Sequence, residues 1–257
     1  MPEARNIEEE NARYARDREE FAREARLLQM SLVPTHGLRS ELVEIAFRFM
    51  PFSEVGGDFA DFFELPDGTV SIYLGDVVGR GLPAAMYGAL AIGTLRGLHK
   101  TGTNTADVLA RLNERLIQRP IPNRFCSTLY VLFNPVTREL VFSNAGMPPP
   151  LLVSESGCRT LGEGGWPSGL FSGASYERHV VQLNRGDCVL FASDGLHEMH
   201  DGQGIEFGST QLEEVWAQCL HKSAPESVDF LFDRQTALCD GNAPQDDITV
   251  VVLKVLP

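Results

Sequence analysis

The sequence predicts an α+β fold in which antiparallel sheets carry helices on their outer faces. Three observations predict it. Apolar and polar residues alternate through several short segments, as half-buried strands require. Helical stretches come in consecutive pairs, whereas a doubly wound parallel sheet needs one between successive strands. Turn-forming residues join neighbouring strands directly, as in hairpins.

The first element is a long helix. Residues 1 to about 33 contain no glycine. Ile7, Tyr14, Phe21 and Leu28 recur every seven residues, with Ala15, Ala22 and Ala25 beside them, which makes one apolar stripe. Glu9 with Arg13 and Glu19 with Arg23 stand at i,i+4 and add modest support. Asn11 and Arg18 occupy the other half of the heptad seam and weaken an isolated coiled coil. Two readings stay open: a helix lying on its own domain, or one that dimerises or carries a signal. Pro34 ends it. Residues 1–33 are therefore read as a helical linker, and residues 34–257 as the folded domain.

Val43, Ile45, Phe47 and Phe49 alternate with Glu44, Ala46 and Arg48, a half-buried strand. Pro66-Asp67-Gly68 is a turn, and Val70, Ile72 and Leu74 alternate after it. Leu82 to about His99 reads as a helix with Pro83 in its first turn. Thr105 is the expected N-cap of a second helix running to Arg119. Asn134-Pro135-Val136-Thr137 separates two hairpin strands. Pro148 to Pro150 opens an extended stretch, and Cys188 to Ser193 is a buried strand. Residues 209 to 239 hold two helices. Thr249 to Val255 closes the fold.

Composition excludes several classes of function. The 257 residues include 22 Lys+Arg and 35 Asp+Glu, a net charge of −13, and 43% are hydrophobic. Enough apolar material is present to offset chain entropy. A duplex binder needs a basic face to displace counterions, and no dense Lys/Arg run is present, so the acidic balance argues against nucleic acid. The acidity reflects either solubility or a surplus of metal-binding carboxylates. Cys126, Cys158, Cys188, Cys219 and Cys239 are odd in number and lack a CxxC pair, so they fit neither a zinc cluster nor a disulfide framework. They read as reduced thiols of a cytoplasmic protein. No apolar run approaches the ~20 residues of a membrane span, and the charged N-terminus is not a signal peptide.

A few carboxylates stand apart from the rest. Asp58 follows Val55-Gly56-Gly57 and precedes Phe59. Asp76 lies in Leu74-Gly75-Asp76-Val77-Val78-Gly79-Arg80-Gly81, at the end of an apolar strand. Asp194 lies in Phe191-Ala192-Ser193-Asp194-Gly195, after another. Asp246 and Asp247 precede the last strand. Any one Asp-Gly is foremost a turn, and Asp67-Gly68 and Asp201-Gly202 are read that way. As a set, strand-end aspartates converging on one sheet edge would repel one another unless a cation filled the pocket. Hard ions such as Mg²⁺ or Mn²⁺ suit an all-oxygen donor set.

In order, these motifs resemble the bacterial metal-dependent serine/threonine phosphatases of the PPM (PP2C-like) class, in the branch that includes SpoIIE and RsbU. The resemblance rests on five stretches: Val55 to Phe63, Gly75 to Ala85, Asn144-Ala145-Gly146-Met147-Pro148-Pro149, Ser193-Asp194-Gly195 with Glu198, and Asp246-Asp247-Ile248-Thr249. Arg26 to Pro34 is similar to the helical linker that often joins these domains to an upstream sensor. The resemblance implies a sandwich of two antiparallel β-sheets flanked by helices. It implies two divalent cations, Mn²⁺ or Mg²⁺. Asp58 and Asp76 would serve one ion, and Asp76, Asp194 and Asp246 the other, with Asp247 second choice to Asp246 and the Val77 carbonyl a further ligand. A hydroxide bridging the ions would attack phosphoserine or phosphothreonine, so Asp58, Asp76, Asp194 and Asp246 are the expected catalytic residues. The implied partners are a phosphorylated regulatory protein, such as a STAS-type anti-sigma factor antagonist, an activator acting through the first helix, and a second copy of the chain.

The sequence also departs from the family's pattern. Val78 stands where eukaryotic members carry His and bacterial members usually Ser. Met147 stands where His is common before the double proline. Neither offers a histidine acid. Arg80 replaces a frequent Lys and, with Gly195, is expected to meet the phosphoryl group. Asp61 falls on the opposite strand face from Asp58 and is read as structural. Two competing readings are a non-catalytic phosphoprotein-binding module of the same fold, and a dinucleotide site at Gly79 and Gly81. The second fits poorly, because a Pro interrupts the glycine fingerprint and two helices follow in succession. No Walker A sequence is present.

Overall fold

The computed structural model describes residues 2–98, 104–200, 206–238 and 245–257. Two wholly antiparallel sheets stack face to face, with helices on both outer faces. The α+β sandwich is the predicted one.

One sheet has five strands in the order β3 (Phe59–Glu64), β4 (Val70–Val77), β5 (Cys126–Asn134), β6 (Glu139–Ala145) and β9 (His179–Gln182). The other has six, β1 (Leu38–Arg39), β2 (Val43–Met50), β11 (Ile248–Val255), β10 (Cys188–Ala192), β7 (Leu151–Ser154) and β8 (Gly157–Thr160). Ile72, Val131, Phe142, Phe191 and Val251 fill the space between the sheets. Helices α2 (Gly81–Leu98) and α3 (Thr105–Ile117) cover the five-stranded sheet through Tyr73, Leu95 and Leu109. Helices α4 (Gly208–Ala217) and α5 (Ala224–Leu238) cover the six-stranded sheet, where Trp216 is fully buried and its indole donates to the Leu151 carbonyl at 3.0 Å.

Several sequence expectations shift. Thr105 is not the N-cap: Asn104 is, and its side chain accepts from the Ala106 amide, while the Thr105 hydroxyl meets Ser143 Oγ at 2.8 Å. That helix ends at Ile117, short of Arg119. β2 is not half-buried. Its first four residues are buried on both faces, because α5 packs over one face and the second sheet over the other. Helix α1 (Pro2–Met30) stops four residues before Pro34. Phe21 and Leu28 of its stripe are about 70% exposed and Tyr14 is 64% exposed, so these three residues of the stripe do not lie on this domain. The side chains of Ile7 and Ala15, along with His99, Asp201-Gly202 and Cys239, lie outside the described residues. Cys126, Cys158, Cys188 and Cys219 are free thiols.

Candidate functional site

Register alone sets Asp58 beside Asp76. Phe59 of β3 pairs with Gly75 of β4 in an antiparallel ladder, so the residue before one and the residue after the other are cross-strand neighbours. Asp76 in turn sits opposite Ser127 of β5. On the other sheet Ala192 pairs with Val250, so Asp194 and Asp247 emerge at the same strand ends. Side chains tie the two edges together. Thr249 Oγ1 donates to Asp58 Oδ2 at 2.6 Å, and the Gly57 amide donates to Asp247 Oδ2 at 2.6 Å.

The glycines before Asp58 are required by this close approach. A Cβ at Gly56 would stand 2.2 Å from the Asp247 carboxylate, and one at Gly57 would stand 2.7 Å from the Val77 carbonyl oxygen. Gly195 is equally confined, since a Cβ there would come within 2.1 Å of the Asp247 carbonyl oxygen.

The carboxylates share one electrostatic environment. Burial and the Asp76 charge push Asp58 well above the usual carboxylate range, despite hydrogen bonds from Ser193 and Thr249. Burial, with Asp194, Asp246 and Asp247 nearby, pushes Asp76 up to about 7. Asp194 is raised by burial and by Asp246, an effect partly offset by His197 and by backbone amides. Buried negative charge without a matching cation is what a divalent ion relieves. In that respect the all-oxygen donor set fits hard cations. The side chains do not close on a point: among the described residues no three His, Cys, Asp or Glu side chains are arranged to hold a metal ion.

The two C-terminal aspartates differ. Asp247 is 5% exposed, and its oxygens accept from the amides of Phe52 at 2.8 Å and Gly57 at 2.6 Å. Asp246 is partly exposed and its Oδ2 accepts from Arg80 Nη2 at 3.1 Å. That guanidinium also donates to the Gln245 carbonyl at 2.9 Å and lies over the Phe52 ring. Arg80, Gly195, Glu198 and Asp246 line a cavity of about 100 Å³. A larger cavity of about 640 Å³ lies between α2 and α3, and no carboxylate of this set lines it.

Val78 is 39% exposed, whereas Met147 is buried in the core and offers the site nothing. Asp61 faces away from Asp58 and accepts from Tyr73 Oη at 3.0 Å and Arg96 Nε at 2.9 Å.

Two contributors escaped sequence reasoning. Arg124 donates to the Val78 carbonyl beside Asp76 and Val77, and no motif marks it. Gln29, buried near the end of α1, donates from Nε2 to the Gly56 carbonyl at 2.8 Å and accepts from the Gly56 amide at 3.0 Å. Its only signal was its place within the linker-like stretch. Gln29→Leu leaves a buried N–H and C=O unpaired beside the Asp58 turn, at a cost of roughly 1–3 kcal/mol. Urea denaturation checks this, and an unchanged midpoint would refute the clamp.

A two-sheet sandwich with outer helices and aspartates at its strand ends is the architecture of the PP2C-like class. A family model described as Stage II sporulation protein E (SpoIIE) matches residues 66–256, and the chain belongs to that family. The match starts after Asp58. The chain is 25% identical over 229 residues to the phosphoserine phosphatase RsbU of Bacillus subtilis (strain 168), covering 88% of this chain and 68% of RsbU. Two further curated relatives, each 22% identical, are longer, and the chain spans 40% and 41% of them. Among solved structures, the SiaA-PP2C domain of Pseudomonas aeruginosa superposes with a TM-score of 0.83 at 19% identity, covering 95% of this chain and 98% of that one. RsbX in complex with magnesium has a TM-score of 0.65 at 16% identity, covering 86% and 98%. Among the described residues no helix is long and apolar enough to cross a membrane.

Proposed function

We propose that the chain hydrolyses phosphoserine or phosphothreonine on a regulatory protein of the bacterial cytoplasm, of the STAS anti-sigma factor antagonist type, using two divalent cations. One observation carries the reading: buried, mutually repelling aspartates meet at one end of the sandwich, with Asp76 pushed up to about 7. The phosphoserine phosphatase activity of RsbU supports it, as does the magnesium bound by RsbX. Mn²⁺ and Mg²⁺ both suit the donors.

Asp58, Asp76 and the Val77 carbonyl would hold one ion, and Asp76, Asp194 and Asp246 the other. Asp247 is the weaker ligand, because it is buried and its oxygens brace the Phe52 and Gly57 amides, whereas Asp246 is partly exposed at the cavity it shares with Arg80. When bound, the ions supply a water of lowered pKa and neutralise charge on the phosphoryl oxygens. Thr249 orients Asp58, and the Phe52 and Gly57 amides fix Asp247 so that it braces the Asp58 turn. Arg80 steadies Asp246 and has further N–H groups for the phosphoryl oxygens. Residues 34–257 form the catalytic unit on this reading. Residues 1–33 form the linker through which a second copy or an activator acts.

Phosphate release from a phosphoserine peptide tests this. It should require Mn²⁺ or Mg²⁺, stop in EDTA and return when metal is restored; release that persists in EDTA would overturn the metal reading. One observation favours a second reading, a module that holds a phosphoprotein without turnover: no three donors converge among the described residues. Absence of release under every metal condition would favour that module.

A further inference from the structure

Between β8 and β9 the chain makes a long, ordered excursion. Gly165 N donates to the Asn144 carbonyl at 2.9 Å, and Ser168 exchanges two backbone hydrogen bonds with Cys126, at 2.8 and 3.0 Å. Asn113 of α3, 1% exposed, clamps the next turn. It donates to the Phe171 carbonyl at 2.9 Å and accepts from the Gly169 amide at 2.8 Å. On this fixed base sit two aromatic rings in contact with each other and turned to solvent. Trp166 is 63% exposed and Phe171 48%, with centroids 5.0 Å apart and planes at 84°. Burying the pair against the domain would be favourable, yet the anchored backbone holds it out.

Its position follows from the sheet. Ser168 bridges Cys126, and Cys126 pairs with Val77, so the Ser168 backbone lies two strand spacings from the candidate site, roughly 10 Å. Pro167 packs where a Cβ of Gly146 would stand, next to Ser127 Oγ, and Ser127 faces Asp76 across the ladder. The segment that carries the aromatic pair therefore lies at the strand ends that bear Asp76.

We infer that Trp166 and Phe171 are the docking platform for an apolar side chain of the phosphoprotein substrate, close in sequence to its phosphorylated residue. The inference rests on the phosphatase reading and names how that site takes its substrate. An extended peptide advances roughly 3.3 Å per residue, so with a phosphoserine at the aspartates, side chains about three residues away reach as far as the Ser168 segment that carries the pair. A phosphopeptide is anionic and the site end is rich in carboxylates, so apolar contact adds affinity that repulsion does not oppose. Pre-anchored aromatic rings lose little freedom on binding, and Trp is the residue most often dominant in such contacts.

The test uses two phosphoserine peptides, one flanked by Ala throughout and one with Leu about three residues from the phosphoserine, on each side in turn. The wild-type chain with Mn²⁺ should prefer one Leu peptide by about tenfold in kcat/KM. In Trp166→Ala, whose exposed side chain is not needed for folding, the preference should fall to about one. A preference that survives in Trp166→Ala overturns the docking inference, as does equal use of the peptides by the wild type while it still hydrolyses p-nitrophenyl phosphate. A Trp166→Ala change that alters molecular mass but not the preference assigns the pair to a second copy of the chain and overturns it too. No release from either peptide or from p-nitrophenyl phosphate overturns the phosphatase reading and this inference together.

Discussion

Asp76→Asn should lower kcat/KM for p-nitrophenyl phosphate by at least ~10³-fold, equivalent to about 4 kcal/mol of transition-state stabilisation. Asp76 is the one residue assigned to both ions, so its loss weakens both. The variant should nevertheless fold, because Asn has nearly the same shape. In EDTA it should melt at a higher temperature than the wild type. The wild-type carboxylate is buried among Asp194, Asp246 and Asp247 without a cation, and neutralising it removes that repulsion. Activity within tenfold of wild type would remove Asp76 from the metal site. A lower melting temperature in EDTA would show that the carboxylate is stabilised by something other than an ion.

A pH series should separate these effects. The ordinary value for Asp is 3.8, and in the folded chain Asp76 is pushed up to about 7. Between those values the native state keeps a proton that the unfolded chain has released. Stability therefore falls as pH rises through this window and levels off above it. Over the whole window the loss from this group is on the order of 4 kcal/mol. The wild-type minus Asp76→Asn difference in unfolding free energy, taken in EDTA at pH 4 and pH 7.5, isolates it. The difference should move against the wild type as pH rises. Mn²⁺ should offset much of it at pH 7.5, by about 2.7 kcal/mol at a hundredfold excess over Kd. A difference that is flat with pH, or that favours the wild type at high pH in EDTA, would contradict the buried, unpaired state of Asp76.

Much of the site was readable because its carboxylates stand at strand ends beside glycines. An apolar run that stops at Asp76 or Asp194 marks both the strand and the end at which the candidate site gathers, and the Gly56-Gly57 pair announces a close approach before the neighbour is known. The order of elements likewise carried the antiparallel sandwich. What stayed hidden depends on contacts distant in sequence. Gln29 reaches Gly56 across 27 residues, and nothing local distinguishes it from any other helical Gln. The Thr105 cap was misplaced because Asn and Thr are both good caps, and only Ser143, far along the chain, claims the Thr hydroxyl. β2 looked half-buried because Glu44 and Arg48 break its apolar run. Yet Glu44 is buried, accepting from the Ala224 amide at 2.9 Å, and Arg48 lies against Phe232. The short edge strands β1 and β8 carry too little apolar pattern to announce themselves.

The crowding of Gly56, Gly57 and Gly195 bears on how such a protein diversifies. A side chain at any of the three would have to displace backbone or a catalytic-end carboxylate, so mutation there is closed to gradual change. Trp166, Phe171 and Val78 face open solvent, where almost any residue can be accommodated. On the proposed reading, a lineage built on this chain can exchange one phosphoprotein for another by drifting at the rim, while the strand-end carboxylates stay fixed.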